Sequence, residues 1–286
     1  MADYRRLFTK PLKRLRQFAY LCRHPVDYFR CATAIRSSRM GGNAAISFKY
    51  LGDHLALSLG PEQRRRALAS HYTILACTLS SSSRKGLPRG LTIWRKNVGL
   101  GPDLSITLEP SSLAPMEGEL QLRFSYRSSL CVLTFLVAPG DVFGVSHHSI
   151  LFVGGVQGFT GIREEMREAA KLNGEIAPSA MLLLAVQAIG RGFGVGEIIG
   201  IGENEHISLG YAKSKVVFDY RRMWMEAGGA RRGLHYGIPF ESREKPLSAT
   251  SRSHRSRTRR KRAEKHLLRR SIEMRVRQLI RTPATV

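Results

Sequence analysis

Two acids flank a glycine at Glu117-Gly118-Glu119, just ahead of the alternating run LQLRFSYR. Paired carboxylates can take a proton from an amine or hydroxyl, although acids in a tight turn are ordinarily solvated. A second polar group, Glu203-Asn204-Glu205-His206, follows the apolar run EIIGIG. It stands at a strand's carboxyl end, where α/β sheets present ligand-binding groups, which makes it the leading site candidate. Gln157 closes the run ILFVGGVQG among Gly154, Gly155 and Gly158. The missing side chains there admit a ligand or another backbone, and the structural alternative is a bulge or strand exit with Gln157 bonding loop backbone. His71 lies beside the apolar face of a helix, either as a base or as a satisfied helix-edge histidine. Asp219 opens the short helix DYRRMWMEAGG as its N-cap, and Trp224 on that helix belongs to the core.

Other chemistries lack their residues. The glycines of GRGFGVG precede a strand instead of following one, so the dinucleotide fingerprint has no strand-turn-helix context, and P-loop, G-x-S-x-G and H-E-x-x-H motifs do not occur. Cys22, Cys31, Cys77 and Cys131 form no C-x-x-C pair and have no histidine at ligand spacing. They read as small buried hydrophobes in a reducing compartment, with no metal site expected.

The elements that must position these groups follow from periodicity. AAISFKYL and HLALSL read as short strands separated by Gly52-Asp53, and a helix from Pro61 carries Leu68, Tyr72, Leu75 and Leu79 on one face. LTIWRKNV, LSITLEP, ELQLRFSYR and LCVLTFLVA are closely spaced runs broken by glycine, proline and serine, which predicts an antiparallel meander. SILFVGGVQG is a buried strand, followed by helices over 162–172 and 178–191, the second apolar nearly all round. EIIGIGENEH is another strand, and KSKVVFDY with the helix DYRRMWMEAGG closes the core. The expected class is α+β: a mixed, largely antiparallel sheet with packed helices.

The chain has 286 residues, 43% apolar, with 46 Lys+Arg against 22 Asp+Glu and a net charge of +24. That composition excludes a disordered polymer. The excess sits at the ends: net +8 over 1–39, +12 over 243–286, and +4 over the 203 residues between. The division expected is a basic N-terminal arm 1–39, a single core 40–242 and a basic C-terminal tail 243–286. Phe8, Leu12, Leu15, Ala19 and Cys22 in the first arm, and Leu268, Ile272, Val276 and Leu279 in the last, fall at helical spacing. Such basic amphipathic helices attach to anionic lipid or nucleic acid, or dock one apolar stripe on the domain. The longest mostly apolar stretch, 176–189, is far short of the ~20 residues of a membrane span. Early lysines and arginines interrupt any signal-peptide h-region, so a cytoplasmic protein is expected, peripheral at the inner membrane if the arms bind lipid.

Taken in order, HY in a helix, EGEL before a strand, LFVGGVQG, a long apolar helix opened by Pro178, GENEH and FDYRRMWMEAGG resemble the VirK/YbjX family of Gram-negative bacteria over roughly residues 20–270. The resemblance makes His71, Glu117, Gly118, Glu119, Gly154, Gly155, Gln157, Gly158, Asp219, Trp224, Gly228 and Gly229 signature positions without giving them roles. It implies an intracellular protein linked to virulence, envelope stress and tolerance of antimicrobial peptides. Arg221 and Met223 depart from the aromatic-rich form of the family's FDYRRMW segment. The element order is also similar to the GNAT acyltransferase fold, although its Q/R-x-x-G-x-G/A loop is absent and an extra helix separates Gln157 from Pro178. That likeness implies acyl-CoA as a cofactor. Gln157, Asn204 and the backbone of 158–161 would then orient it, Glu117, Glu119 or His206 would accept the amine proton, and Tyr211 would protonate the leaving thiolate. The expected reading is a VirK/YbjX-type protein at an anionic membrane face. The alternatives are a GNAT-like acyltransferase and an RNA-binding regulator, the last lacking a stacking platform in the core.

Overall fold

The computed structural model describes residues 15–281 apart from 16, 17, 39, 41–43, 100, 211–217, 242, 243 and 245. Phe8, Leu12 and Tyr211 therefore lie outside the described residues.

Eight strands form one sheet: β1 (Leu91–Lys96), β2 (Leu104–Pro110), β3 (Leu120–Tyr126), β4 (Ser128–Ala138), β5 (Ile150–Gly158), β6 (Glu197–Gly200), β7 (Ala230–Arg232) and β8 (His235–Ile238). Their order is β1-β2-β3-β4-β5-β6-β8-β7. The first five pair antiparallel as a meander, β5 and β6 are parallel, and β8 returns antiparallel to both β6 and β7. The runs read from the sequence as a meander and a buried strand are β1 to β5; β2 alternates between buried and half-buried residues, whereas β4 and β5 are buried on both faces over most of their length. The β7–β8 hairpin was not foreseen, since Gly233 at φ 58° turns only three- and four-residue strands.

Two other runs depart from expectation. AAISFKYL forms a 3-10 helix, Ala44–Leu51, and HLALSL an irregular segment. Four of their apolar side chains, Tyr50, Leu55, Ala56 and Leu59, are buried in the core beneath other elements rather than across a strand pair. HLALSL joins the rest of the chain by single backbone bonds, Leu55 N–H to the Met116 carbonyl (2.8 Å) and Leu57 N–H to the Glu205 carbonyl (3.0 Å).

Helix α1 (Pro25–Ser38) packs on α2 (Pro61–Thr78), and α2 packs on β4. A short helix α3 (Ser81–Gly86) is capped by the Ser80 hydroxyl, which accepts from Ser83 N–H at 3.2 Å. After β5 come α4 (Arg163–Leu172) and α5 (Pro178–Gly192); α5 is buried along almost its whole length, as its apolar composition requires. Helix α6 (Tyr220–Glu226) starts on the Asp219 carboxylate, which accepts from Arg222 N–H at 2.9 Å.

The basic tail carries α7 (Arg255–Leu279), and this helix lies on α5 and β1 with Leu268, Ile272, Val276 and Leu279 buried. Gly192 of α5 packs so closely on Val276 that a β-carbon there would collide. Beyond α7 the chain is fastened by two backbone bonds, Ser80 N–H to the Leu279 carbonyl and Arg281 N–H to the Thr78 carbonyl, each 2.9 Å. The apolar stripe of this tail is thus part of the core, while arginines such as Arg259, Arg260, Arg270 and Arg277 cover its exposed side.

Candidate functional site

The acids flanking Gly118 are both buried, contrary to the expectation for turn acids. Gly118 makes this possible: its α-carbon lies against the Phe135 backbone, where a β-carbon would come within 2.8 Å of both N and O. Glu119 N–H then donates to the Phe135 carbonyl (3.1 Å), and the turn is drawn onto the sheet.

Glu117 enters a hollow made by missing side chains. Across the β4–β5 ladder Thr134 opposes Gly155 and Phe135 opposes Val153, so Gly154 is the extra residue of a β-bulge. A β-carbon on Gly154 would strike the Glu117 carbonyl, and one on Gly155 would strike its carboxylate. The carboxylate accepts from Gln157 Nε2 (2.7 Å) and from the Thr134 hydroxyl (3.2 Å). His206 Nε2 faces Oε1 at 3.3 Å without hydrogen-bond alignment. His206 Nδ1 accepts from Ser208 N–H (3.2 Å), which places the ring proton on Nε2, toward the acid. The His206 ring stacks on Tyr220 at 5.2 Å, and burial raises the pKa of that phenol.

Tyr220 completes the arrangement where the parallel pair parts. β5 and β6 stay in register from Ile150–Glu197 to Val153–Gly200, and one further bond joins Ile201 N–H to the Val153 carbonyl (2.9 Å). β5 then runs on to Gly158 paired with β4 but no longer with β6, and its Val156 N–H donates to the Tyr220 hydroxyl at 3.2 Å. The exposed end of this system is Gly158, with Gln157 half-buried behind it.

Glu119 belongs to a separate network. It accepts from Lys49 Nζ (2.9 Å), His54 Nε2 (3.0 Å) and the Tyr72 hydroxyl (2.7 Å). Burial alone would raise its pKa, but the His54 hydrogen bond and the Lys49 charge bring it down to about 2. His54 is itself pushed below the usual histidine value by desolvation, so it is a neutral donor and Lys49 is the counter-charge. Burial pushes the Tyr72 phenol up. His71, next along α2, is fully buried rather than at the helix edge; Nδ1 accepts from Val137 N–H at 3.0 Å, and desolvation lowers its pKa to about 4.

The GENEH segment is divided among four surroundings. Glu203 accepts from Arg231 and from the Tyr236 hydroxyl, both at 3.0 Å. Asn204 is exposed, Glu205 accepts from Ser58 N–H (2.9 Å), and His206 joins Glu117. The structure therefore unites Glu117, Gly154, Gly155, Gln157 and His206, and leaves Glu119, Asn204 and His71 apart. Trp224 is fully buried, and its indole N–H donates to the Ile201 carbonyl (2.8 Å). Gly228 ends α6 at φ 83°, and Gly229 lies against the Trp224 carbonyl, where a β-carbon would sit 2.8 Å away. Lys49, His54, Tyr72, Thr134 and Tyr220 were missed because nothing in their spacing marks them; their partners are 17 to 70 residues away.

Chemically, the Glu117 carboxylate is held by the Gln157 amide and the Thr134 hydroxyl, while His206 Nε2 faces it without a hydrogen bond. Both His206 nitrogens are directed at protein groups, so the ring has no lone pair free for a substrate proton. Gln157 is the member that reaches toward solvent, and the cluster fixes where its amide stands.

A family model described as "Protein of unknown function (DUF535)" matches residues 22–266. No curated protein and no solved structure matches the chain.

Proposed function

The chain belongs to the DUF535 family, the VirK/YbjX family whose signature its motifs carry, and we propose that it works while docked on an anionic membrane surface. The observation that carries this reading is an exposed aromatic patch on the N-terminal helices. Val26 and Phe29, one turn apart on α1, are 58% and 62% exposed, and Phe48 is 40% exposed. The Tyr28 ring joins them, stacked on Phe48 at 4.8 Å and edge-on to Phe29 at 5.6 Å. Exposed Arg23 and Arg30 border the patch, in a segment of net charge +8. Contiguous exposed apolar surface of this kind marks interaction sites, and aromatic rings edged by arginines suit the boundary between headgroups and acyl chains. Each basic residue near such a surface contributes about 1 kcal/mol, screened by salt. Among the described residues no helix is long and apolar enough to cross a membrane. A cytoplasmic setting in envelope stress, antimicrobial-peptide tolerance or virulence is proposed on the family resemblance alone.

Co-sedimentation with phosphatidylcholine vesicles, with and without phosphatidylglycerol, tests this. Withdrawing two partly exposed phenylalanine rings from water stabilises the bound state by roughly 2 kcal/mol, about thirtyfold in partitioning. Phe29→Ser/Phe48→Ser should lose that factor on anionic vesicles. Binding that is equal on neutral and anionic vesicles, or unaltered in the double variant, would remove the reading.

A second reading, acyl transfer from acyl-CoA, is supported by the parallel β5–β6 pair that parts after Val153 and Gly200, inside an otherwise antiparallel sheet. Calorimetric titration of the full chain with CoA and acyl-CoA thioesters tests it; absence of saturable heat would dismiss it.

A further inference from the structure

Between α5, α6 and α7 lies a hollow of about 520 Å³, within the range of small-molecule sites. Its walls are aliphatic and aromatic: Ile176, Ala180, Leu183 and Leu184 from α5 and the segment before it, and Phe218 and Met223 from around α6. Its rim is charged in an unbalanced way. The carboxylates there are already engaged: Glu175 with Arg257, Glu226 with Arg222 at 2.8 Å, and Asp219 as the α6 cap. Lys261 and Lys265, one turn apart on α7, also line the hollow; among the described residues neither has a carboxylate within ion-pair distance, and Glu244, whose charge Lys265 feels, is paired with Arg262 at 3.0 Å. Like charges at this spacing destabilise a helix. Lys265 is partly withdrawn from water, which together with the Lys261 charge lowers its pKa.

Two further features belong to the same wall. α5 begins at the hollow with Pro178 in its first turn and Ala177 as an N-cap without a side-chain acceptor, so the amides of Ser179 and Ala180 have no capping partner. Gln187, almost fully buried, donates from Nε2 to the Pro239 carbonyl (2.7 Å), which fixes the amide and leaves Oε1 without a donor.

We infer that this hollow binds a single-chain amphiphile, an alkyl or acyl chain lying among Leu183, Leu184 and Met223 with a phosphate or carboxylate head held between Lys261, Lys265 and the start of α5. The walls account for the chain, and the two lysines with the uncapped start of α5 for the sign of the head. The site is separate from the α1 patch and does not depend on membrane docking.

The test uses the full chain and dodecyl phosphate below its micellar concentration, followed by calorimetry. Saturable binding of one molecule per chain is expected, with inorganic phosphate and the uncharged dodecyl maltoside each at least tenfold weaker. Lys261→Gln/Lys265→Gln should weaken dodecyl phosphate at least tenfold. Ala180→Trp, which fills the hollow, should abolish binding; a thermal melt checks its fold, and the lysine variant stands if it does not fold. Phe29→Ser/Phe48→Ser should bind dodecyl phosphate as the unaltered chain does, whatever its behaviour on vesicles. Absence of saturable heat, equal affinity for inorganic phosphate, or full binding by the lysine variant would overturn the assignment.

Discussion

Replacing Glu119 by glutamine should cost about 3 kcal/mol of folding stability at neutral pH, and the cost should shrink as the solution is acidified. The carboxyl has an ordinary value of 4.5 and is held at about 2 in the folded chain. That interval corresponds to roughly 3 kcal/mol at 1.36 kcal/mol per pH unit. Breaking a buried pair by removing one partner gives 3–5 kcal/mol as an independent scale, because Lys49 would be left without its counter-charge. A group whose folded value is depressed contributes fully above its unfolded value and loses that contribution as pH falls through the folded one. The difference between the two proteins should therefore be about 3 kcal/mol at pH 7 and about half that near pH 3. Urea unfolding at a series of pH values, with equal slopes checked for both proteins, reads this directly. A difference that is constant with pH, or below about 1 kcal/mol at pH 7, would show that Glu119 is not a buried carboxylate held by Lys49 and His54.

Four other outcomes follow from the same geometry. Gly155→Ala places a methyl on the Glu117 carboxylate, and the displaced network should lower stability by about 1–3 kcal/mol in the same urea assay. His71, desolvated to about 4, disfavours its charged form, so the folded chain loses stability as pH falls from 6.5 toward 4; His71→Asn, which keeps an acceptor for Val137 N–H, should flatten that part of the profile. Ile272→Ala on α7 should cost about 2–5 kcal/mol by calorimetric melting, since this side chain is fully buried beside α5, and deleting residues 243–286 should leave a chain that does not fold cooperatively.

The meander and the buried helix α5 were legible because their apolar periodicity is local and unbroken. The 3-10 helix Ala44–Leu51 was not. AAISFKYL alternates well enough for a strand, but tertiary packing buries Tyr50 and leaves Phe48 exposed, a division that the run itself does not encode. The stripe Leu268, Ile272, Val276 and Leu279 was visible in the tail, whereas its destination on α5 depends on Gly192, which β6, α6, β7 and β8 separate from α7 in the chain. Of the site, the sequence marked Glu117, Gly154, Gly155, Gln157 and His206 by type alone. What joins them is a β-bulge at Gly154 and a turn drawn in at Gly118, and these are properties of strand register. Glu119 resembled Glu117 in sequence, yet one residue between them sends the two acids into different networks.

The most direct test of membrane docking places a tryptophan at Phe29. The native Trp94 and Trp224 are both buried, so they report little of the solvent. With Phe29→Trp, phosphatidylglycerol-containing vesicles should shift the emission to shorter wavelength, and brominated acyl chains should quench it, while neutral vesicles do neither. Co-sedimentation without shift or quenching would mean that the basic surface alone holds the lipid and that the aromatic patch does not enter it.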